Sequence, residues 1–155
     1  MRADPDLSMQ RFTQKQMLDY IRIDELNPAY SAALKLYWGR YGEPMKGSTR
    51  AVFATGTGHV IKVPYSYEGQ EANLSEAAHW AAGVGVPLAP TELLGVDQLP
   101  PEVVSASDGN DLVIVRAAEV QIVPEGYEVP PWAHRLKDGP QVGWLPDGTL
   151  VAYDL

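Results

Sequence analysis

The sequence predicts an α+β domain in which two N-terminal helices precede a twisted antiparallel sheet of about five strands with one packed helix. Three observations lead to this prediction. Apolar residues recur every three to four positions over residues 10–41, and the period falls to two after Gly47. The segment EGQEANLSEAAHWAAG then shows helical composition between two groups of strand-like segments. A chain of 155 residues that is 45% hydrophobic can form one domain with one core.

The two N-terminal helices are predicted at about residues 10–23 and 28–40. The second begins at Asn27-Pro28, an N-cap residue followed by proline at the first helical position. Aromatic residues are concentrated in this helix, and we expect Tyr37 and Trp38 to pack against the sheet.

Strands and one further helix follow. The segment STRAVFATGTGHVIKVP predicts a β-hairpin that turns at TGTG, and the third helix after it is closed by Gly83. Residues 84–110 contain several prolines, and this composition predicts a loop with a short strand at TELLGV. The segment DLVIVRAAEVQIV reads as one continuous strand or two short ones. The last segment, QVGWLPDGTLVAYDL, predicts a hairpin that turns at Pro-Asp-Gly.

Composition limits the function classes. The net charge of −8 argues against general nucleic-acid binding, which depends on basic side chains at phosphates. The absence of cysteine rules out disulfides and thiolate metal sites. No apolar run approaches the roughly 18 residues that span a bilayer, and the N-terminus lacks the apolar stretch of a signal peptide. We therefore expect a cytoplasmic monomer or homodimer whose partner is a protein, not nucleic acid or a membrane.

Lys62 is unusual because it interrupts the apolar strand GHVIKVP. A buried ammonium is tolerated when a carboxylate pairs with it. If Lys62 instead lies on an exposed strand edge, its ammonium extends to water and needs no partner.

The succession of a strand, a turn, a lysine-bearing strand, a glutamate-bearing helix, later strands and a hairpin ending in aspartate resembles the small lobe of the protein-kinase-like fold. It also resembles short kinase-like proteins encoded by bacteriophages. The resemblance divides a single domain, residues 1–155, into a helical extension (1–41) and a small-lobe-like unit (42–155). It implies that Lys62 binds the α- and β-phosphates of ATP and that Glu76 on the following helix holds this lysine, with Glu71 as the alternative partner.

The same resemblance assigns a few further positions and reveals departures from the family pattern. Asp154 corresponds to the metal-binding aspartate, and Gly47 and Ser48 stand in for an incomplete glycine-rich loop. The positions of the catalytic aspartate and of the asparagine that binds the second magnesium hold Leu136 and Gln141. Asp138 is the nearest carboxylate to the first of these positions.

These departures predict a reduced, catalytically inactive kinase-like module that acts by protein–protein interaction, as an inhibitor or modulator of a host protein. No cofactor is required for this function, although a remnant of ATP and magnesium binding is left open. One alternative is a minimal phosphotransferase that uses Lys62, Glu76 and Asp154, with Asp138 as a candidate base. A second alternative is an acidic decoy of a DNA-binding surface.

A partner-binding surface is predicted in the segment PEGYEVPPWAHR. Its candidate contacts are Tyr127, Glu128 and Trp132, because aromatic side chains often dominate protein interfaces. The alternative is that this proline-rich segment is a stiff connector packed against the sheet.

Overall fold

The computed structural model describes residues 26–107, 112–136 and 141–153. The helix predicted at 10–23 and the predicted site residue Asp154 lie outside these ranges, as does Asp138. The helices are α1 (Pro28–Tyr41), α2 (Tyr67–Ala82), α3 (Pro101–Ser107) and α4 (Pro131–His134). The strands are β1 (Met45–Lys46), β2 (Arg50–Ala54), β3 (His59–Pro64), β4 (Thr91–Leu93), β5 (Val115–Ala118), β6 (Gln121–Ile122), β7 (Val142–Trp144) and β8 (Leu150–Ala152).

The α+β class is confirmed, and the strands form two antiparallel sheets. Five strands are ordered β1-β2-β3-β5-β4, and three more are ordered β6-β7-β8. The C-terminal hairpin forms as predicted but does not belong to the five-stranded sheet, because β7 pairs with β6. The segment read as one or two strands is therefore two strands, one in each sheet. Hydrogen bonds from Ala89 N to Ala152 O (2.9 Å) and from Ala152 N to Pro87 O (2.8 Å) connect β8 to the chain before β4.

Helix α1 covers one face of the five-stranded sheet. It begins where the sequence predicts, and the side chain of Asn27 accepts a hydrogen bond from Ala29 N at 2.8 Å. Tyr37 and Trp38 are buried, and the ring centroids of Tyr37 and Phe53 lie 6.0 Å apart. The expected packing of this helix onto the sheet is confirmed. Its core contains Leu34, Tyr37, Trp38, Ala51, Phe53, Ile61 and Val63.

Helix α3 occupies part of the segment that the sequence predicted to be a loop. Pro100 and Pro101 suggested an interruption, yet Pro101 is the first residue of the helix, a position where proline needs no amide hydrogen bond. Val103 is fully buried in the same core as α1. The burial of Val103 stabilises a short helix that the local sequence does not predict.

Helix α2, the packed helix that the sequence predicts after the hairpin, covers the opposite face of the sheet. Because side chains alternate along a strand, Lys62 points away from the face on which Ile61 and Val63 contact α1. Gly69 allows α2 to approach the sheet closely, since a Cβ atom at this position would lie 2.2 Å from the carbonyl oxygen of Thr49. This approach brings the side chains of α2 to Lys62.

A candidate ligand-binding cleft

Lys62 and Glu76 form the buried ion pair that the sequence predicts. Strand β3 lies between β2 and β5, so Lys62 is not on a sheet edge, and only 6% of the lysine's surface is exposed. Its Nζ atom donates to Oε1 of Glu76 at 2.6 Å. Glu71, the alternative partner, lies on the exposed side of α2. The exposed-edge interpretation of Lys62 is therefore wrong.

Arg50 is a second cation on the same carboxylate, and the sequence did not predict it. Its Nη1 atom donates to Oε2 of Glu76 and, at 2.9 Å, to Oδ1 of Asn73. The available signal was strand alternation, because Arg50 falls on the same sheet face as Lys62. Glu76 is thus held by a different cation at each of its two oxygens.

Asn73 fixes α2 to the sheet next to this carboxylate. Its Nδ2 atom donates to the carbonyl oxygens of Lys62 (3.0 Å) and Val113 (2.8 Å). The amide of Val113 in turn donates to Oε1 of Gln70 at 3.1 Å. Asn73 and Gln70 are both buried, so these bonds form away from bulk water, where unpaired polar groups are costly. The helix consequently has one defined position relative to β3 and β5.

A cleft lies on the Lys62 side of the sheet, between the two sheets. Its volume is about 190 Å³, several times the roughly 30 Å³ that a water molecule occupies in the liquid. The polar side chains at its surface include those of Lys62, Glu76, His79 and Thr91. Most of the remaining lining is apolar, including Val52, Ala54, Val60, Ala117, Val120 and Ala152.

The segment between β5 and β6 closes one side of the cleft. Glu119 and Val120 line the cleft and belong to neither sheet. The amide of Glu119 donates to Gly58 O at 2.9 Å, which fastens the segment to the β2–β3 turn. Val120 packs against Gly143 so closely that a Cβ atom on this glycine would lie 2.6 Å from Cγ2 of the valine. The cleft wall is therefore held by both sheets.

His79 also lines the cleft, one turn after Glu76 on α2. Its Nδ1 atom is buried and has no hydrogen-bond partner in the part of the chain that the structure describes.

The other predicted site residues lie away from the cleft lining. Gly47 and Ser48 are exposed in the turn between β1 and β2, where the amide of Gly47 donates to Arg50 O at 2.8 Å. Tyr127 is 57% exposed, and its ring meets Trp144 edge-on with centroids 5.1 Å apart. Glu128 is exposed and Trp132 is half-buried on α4. The structure thus brings together Lys62 and Glu76 but separates them from the other predicted residues that it describes.

Within residues 26–107, 112–136 and 141–153, no group of three or more histidine, aspartate or glutamate side chains could hold a metal ion. Among the helices of these ranges, none is long and apolar enough to cross a bilayer. Comparison of the chain with protein-family models, curated proteins and solved structures found no match.

Proposed function

We propose that this chain is a kinase-like binding module that takes an adenine nucleotide in its cleft without transferring phosphate and acts on a protein partner. One observation carries the proposal. The ammonium of Lys62 is held 2.6 Å from Glu76 inside a cleft whose other walls are largely apolar. A buried, oriented cation beside an apolar surface suits a ligand with a flat apolar part and an anionic part.

The residues of the cleft fit the two parts of a nucleotide. Val52, Val60 and Ala117 offer apolar surface to a base. The carbonyl group of Glu119 and the main-chain groups of Val120 lie outside the sheet ladders and suit the polar edge of a heteroaromatic ring. Lys62 supplies the charge for a phosphate, and Glu76 orients it.

We propose that the chain does not transfer phosphate, because of the side chains at two positions that the kinase resemblance assigns to catalysis. Leu136 has no group that accepts a proton from a substrate hydroxyl. Gln141 replaces the asparagine expected at a metal ligand. Since kinases accelerate transfer mainly by positioning and charge stabilisation, loss of these groups removes much of that contribution.

Protein binding is proposed for the surface formed by Tyr127, Glu128 and Trp132. The large exposed fraction of Tyr127 and its edge-on contact with Trp144 support this assignment. A tyrosine ring that a neighbouring indole holds in place loses little further entropy on binding. Such a surface suits an inhibitor or modulator of a host protein.

Isothermal titration calorimetry with Mg-ATP, Mg-ADP and adenosine tests the nucleotide assignment. We expect the wild-type chain to bind all three ligands, and Lys62→Met to weaken both nucleotides at least about tenfold, the loss of one charge-assisted contact. Methionine keeps an apolar stem of similar length, which limits the effect on packing. Arg116→Met is the matched control, because Arg116 lies on the adjacent strand, does not line the cleft and pairs with Glu92.

Failure of the wild-type chain to bind nucleotide would refute this assignment, as would equal affinities of Lys62→Met and Arg116→Met. The protein-binding assignment needs a separate measurement. Affinity capture from host lysate is compared for the wild type, Lys62→Met and the double variant Tyr127→Ala/Trp132→Ala. We expect a captured protein to be lost only with the double variant. Loss with Lys62→Met alone would move the interaction to the cleft.

A further inference from the structure

We propose that His79 is a second anion-binding group of the cleft, which contacts the phosphate of the ligand beside Lys62. This inference rests on the proposed nucleotide-binding function and names a residue that the kinase resemblance does not assign. His79 and Glu76 are three residues apart on α2, a spacing that puts both side chains on one side of the helix. Both line the same cleft as Lys62.

The hydrogen-bonding state of His79 is the main evidence. Its Nδ1 atom is buried and lacks a partner among the described residues. A buried polar atom without a partner destabilises the fold, and such atoms are rare in folded proteins. A ligand in the cleft can supply the missing partner.

The neighbouring polar groups already have partners. Both oxygens of Glu76 accept hydrogen bonds, one from Lys62 and one from Arg50. The hydroxyl of Thr91 donates to the carbonyl oxygen of Ala89 at 3.0 Å. These neighbours therefore leave no partner for Nδ1 of His79, and a ligand in the cleft that His79 lines is the remaining candidate.

The class of ligand group follows from the two donors. An ammonium in the cleft favours an anion, and an imidazole with a proton on Nδ1 donates to an anionic oxygen. Arg50 binds Glu76 from outside the cleft lining and keeps that carboxylate in place when Lys62 turns to the ligand. Phosphate oxygens are consequently expected between Lys62 and His79.

Calorimetry with ADP and adenosine tests this role on His79→Ala, His79→Asn and His59→Ala. Alanine should weaken ADP binding roughly 10- to 100-fold, the equivalent of one hydrogen bond to a charged group, and change adenosine affinity less than about threefold. Asparagine places an amide nitrogen near the position of Nδ1 and should restore ADP affinity to within about threefold of wild type. His59, exposed at the start of β3, is the matched control and should not change either affinity.

Nitrogen NMR of the histidine rings provides a readout that does not require a nucleotide. Pyrophosphate should shift the Nδ1 resonance of His79 and leave that of His59 unchanged. An unshifted His79 resonance, or equal loss of ADP and adenosine affinity in His79→Ala, overturns the inference. A wild-type chain that responds to pyrophosphate but binds neither ADP nor adenosine would support His79 as an anion-binding group and refute the nucleotide assignment.

Discussion

Replacing Glu76 with alanine is the most direct test of the buried charge cluster. Glu76 is 6% exposed, and its two oxygens bind Lys62 and Arg50, which are also buried. The substitution removes the carboxylate to which both cations are attached. Each cation would have to be hydrated or to find another acceptor in a site packed between α2 and the sheet.

Removal of one partner from a buried ion pair typically costs 3–5 kcal/mol, since the remaining charge stays in a poorly solvated site. We expect Glu76→Ala to lose about this amount of unfolding free energy. At about 2–4 °C per kcal/mol for a chain of this size, the melting temperature should fall by roughly 6–20 °C. Glu76→Gln keeps the volume and one acceptor oxygen, so its loss should be smaller.

The control is the ion pair of Glu92 with Arg116, whose side chains are 50% and 38% exposed. Exposed pairs contribute about 0–1 kcal/mol, so Glu92→Ala should lower the melting temperature by less than about 4 °C. Urea unfolding followed by circular dichroism and differential scanning calorimetry would measure all three variants. A Glu76→Ala chain as stable as Glu92→Ala would refute the view that the cluster depends on its carboxylate. If Glu76→Ala does not fold, Glu76→Gln must still be less stable than Glu92→Ala.

Three other outcomes can be measured. Burial raises the pKa of the Tyr37 hydroxyl, and the nearby Tyr41 raises it further. The neutral hydroxyl therefore adds stability below the unfolded pKa of about 10, and this stability is lost as the pH rises through the folded pKa. The urea midpoint should fall less steeply above pH 10 in Tyr37→Phe than in wild type, and parallel curves would contradict this cause. Gly143→Ala should cost about 1–3 kcal/mol of unfolding free energy because its methyl group meets Val120, and adding Val120→Ala should recover part of the loss in a double-mutant cycle. Incubation with radiolabelled Mg-ATP should give no phosphoryl transfer to the chain or to common protein substrates, and autophosphorylation that Lys62→Met abolishes would instead support the phosphotransferase alternative.

The sequence by itself determined the elements whose signals are local. The Asn27-Pro28 dipeptide starts α1 because the amide oxygen accepts an early helical N–H and proline needs no donor there. Glycine in the TGTG turn and alternation around it predict β2 and β3. Burial of an isolated ammonium is costly, so Lys62 was predicted to need a carboxylate, and the kinase resemblance pointed to Glu76.

The tertiary structure decided the features that depend on distant partners. Strand alternation puts Arg50 on the face of Lys62, but its contacts with residues 73 and 76 require α2 to cross that face. The last hairpin could pair with either sheet by its sequence pattern, and the choice of β6 is made by contacts between distant segments. Helix α3 forms because Val103 is buried among residues from α1 and the sheet, which outweighs the loop-like appearance of its prolines.

The candidate cleft divides in the same way. A carboxylate partner for Lys62 was predictable because a charge in an apolar strand needs one, and the kinase resemblance identified Glu76 as that carboxylate. The contribution of His79 was not predictable, because helical spacing places it beside Glu76 but does not say what lies opposite. Only the approach of the β5–β6 segment and β8 to that side of the sheet encloses a cavity that His79 lines. Local sequence thus determined the ion pair, and long-range packing determined the space in which a ligand could meet it.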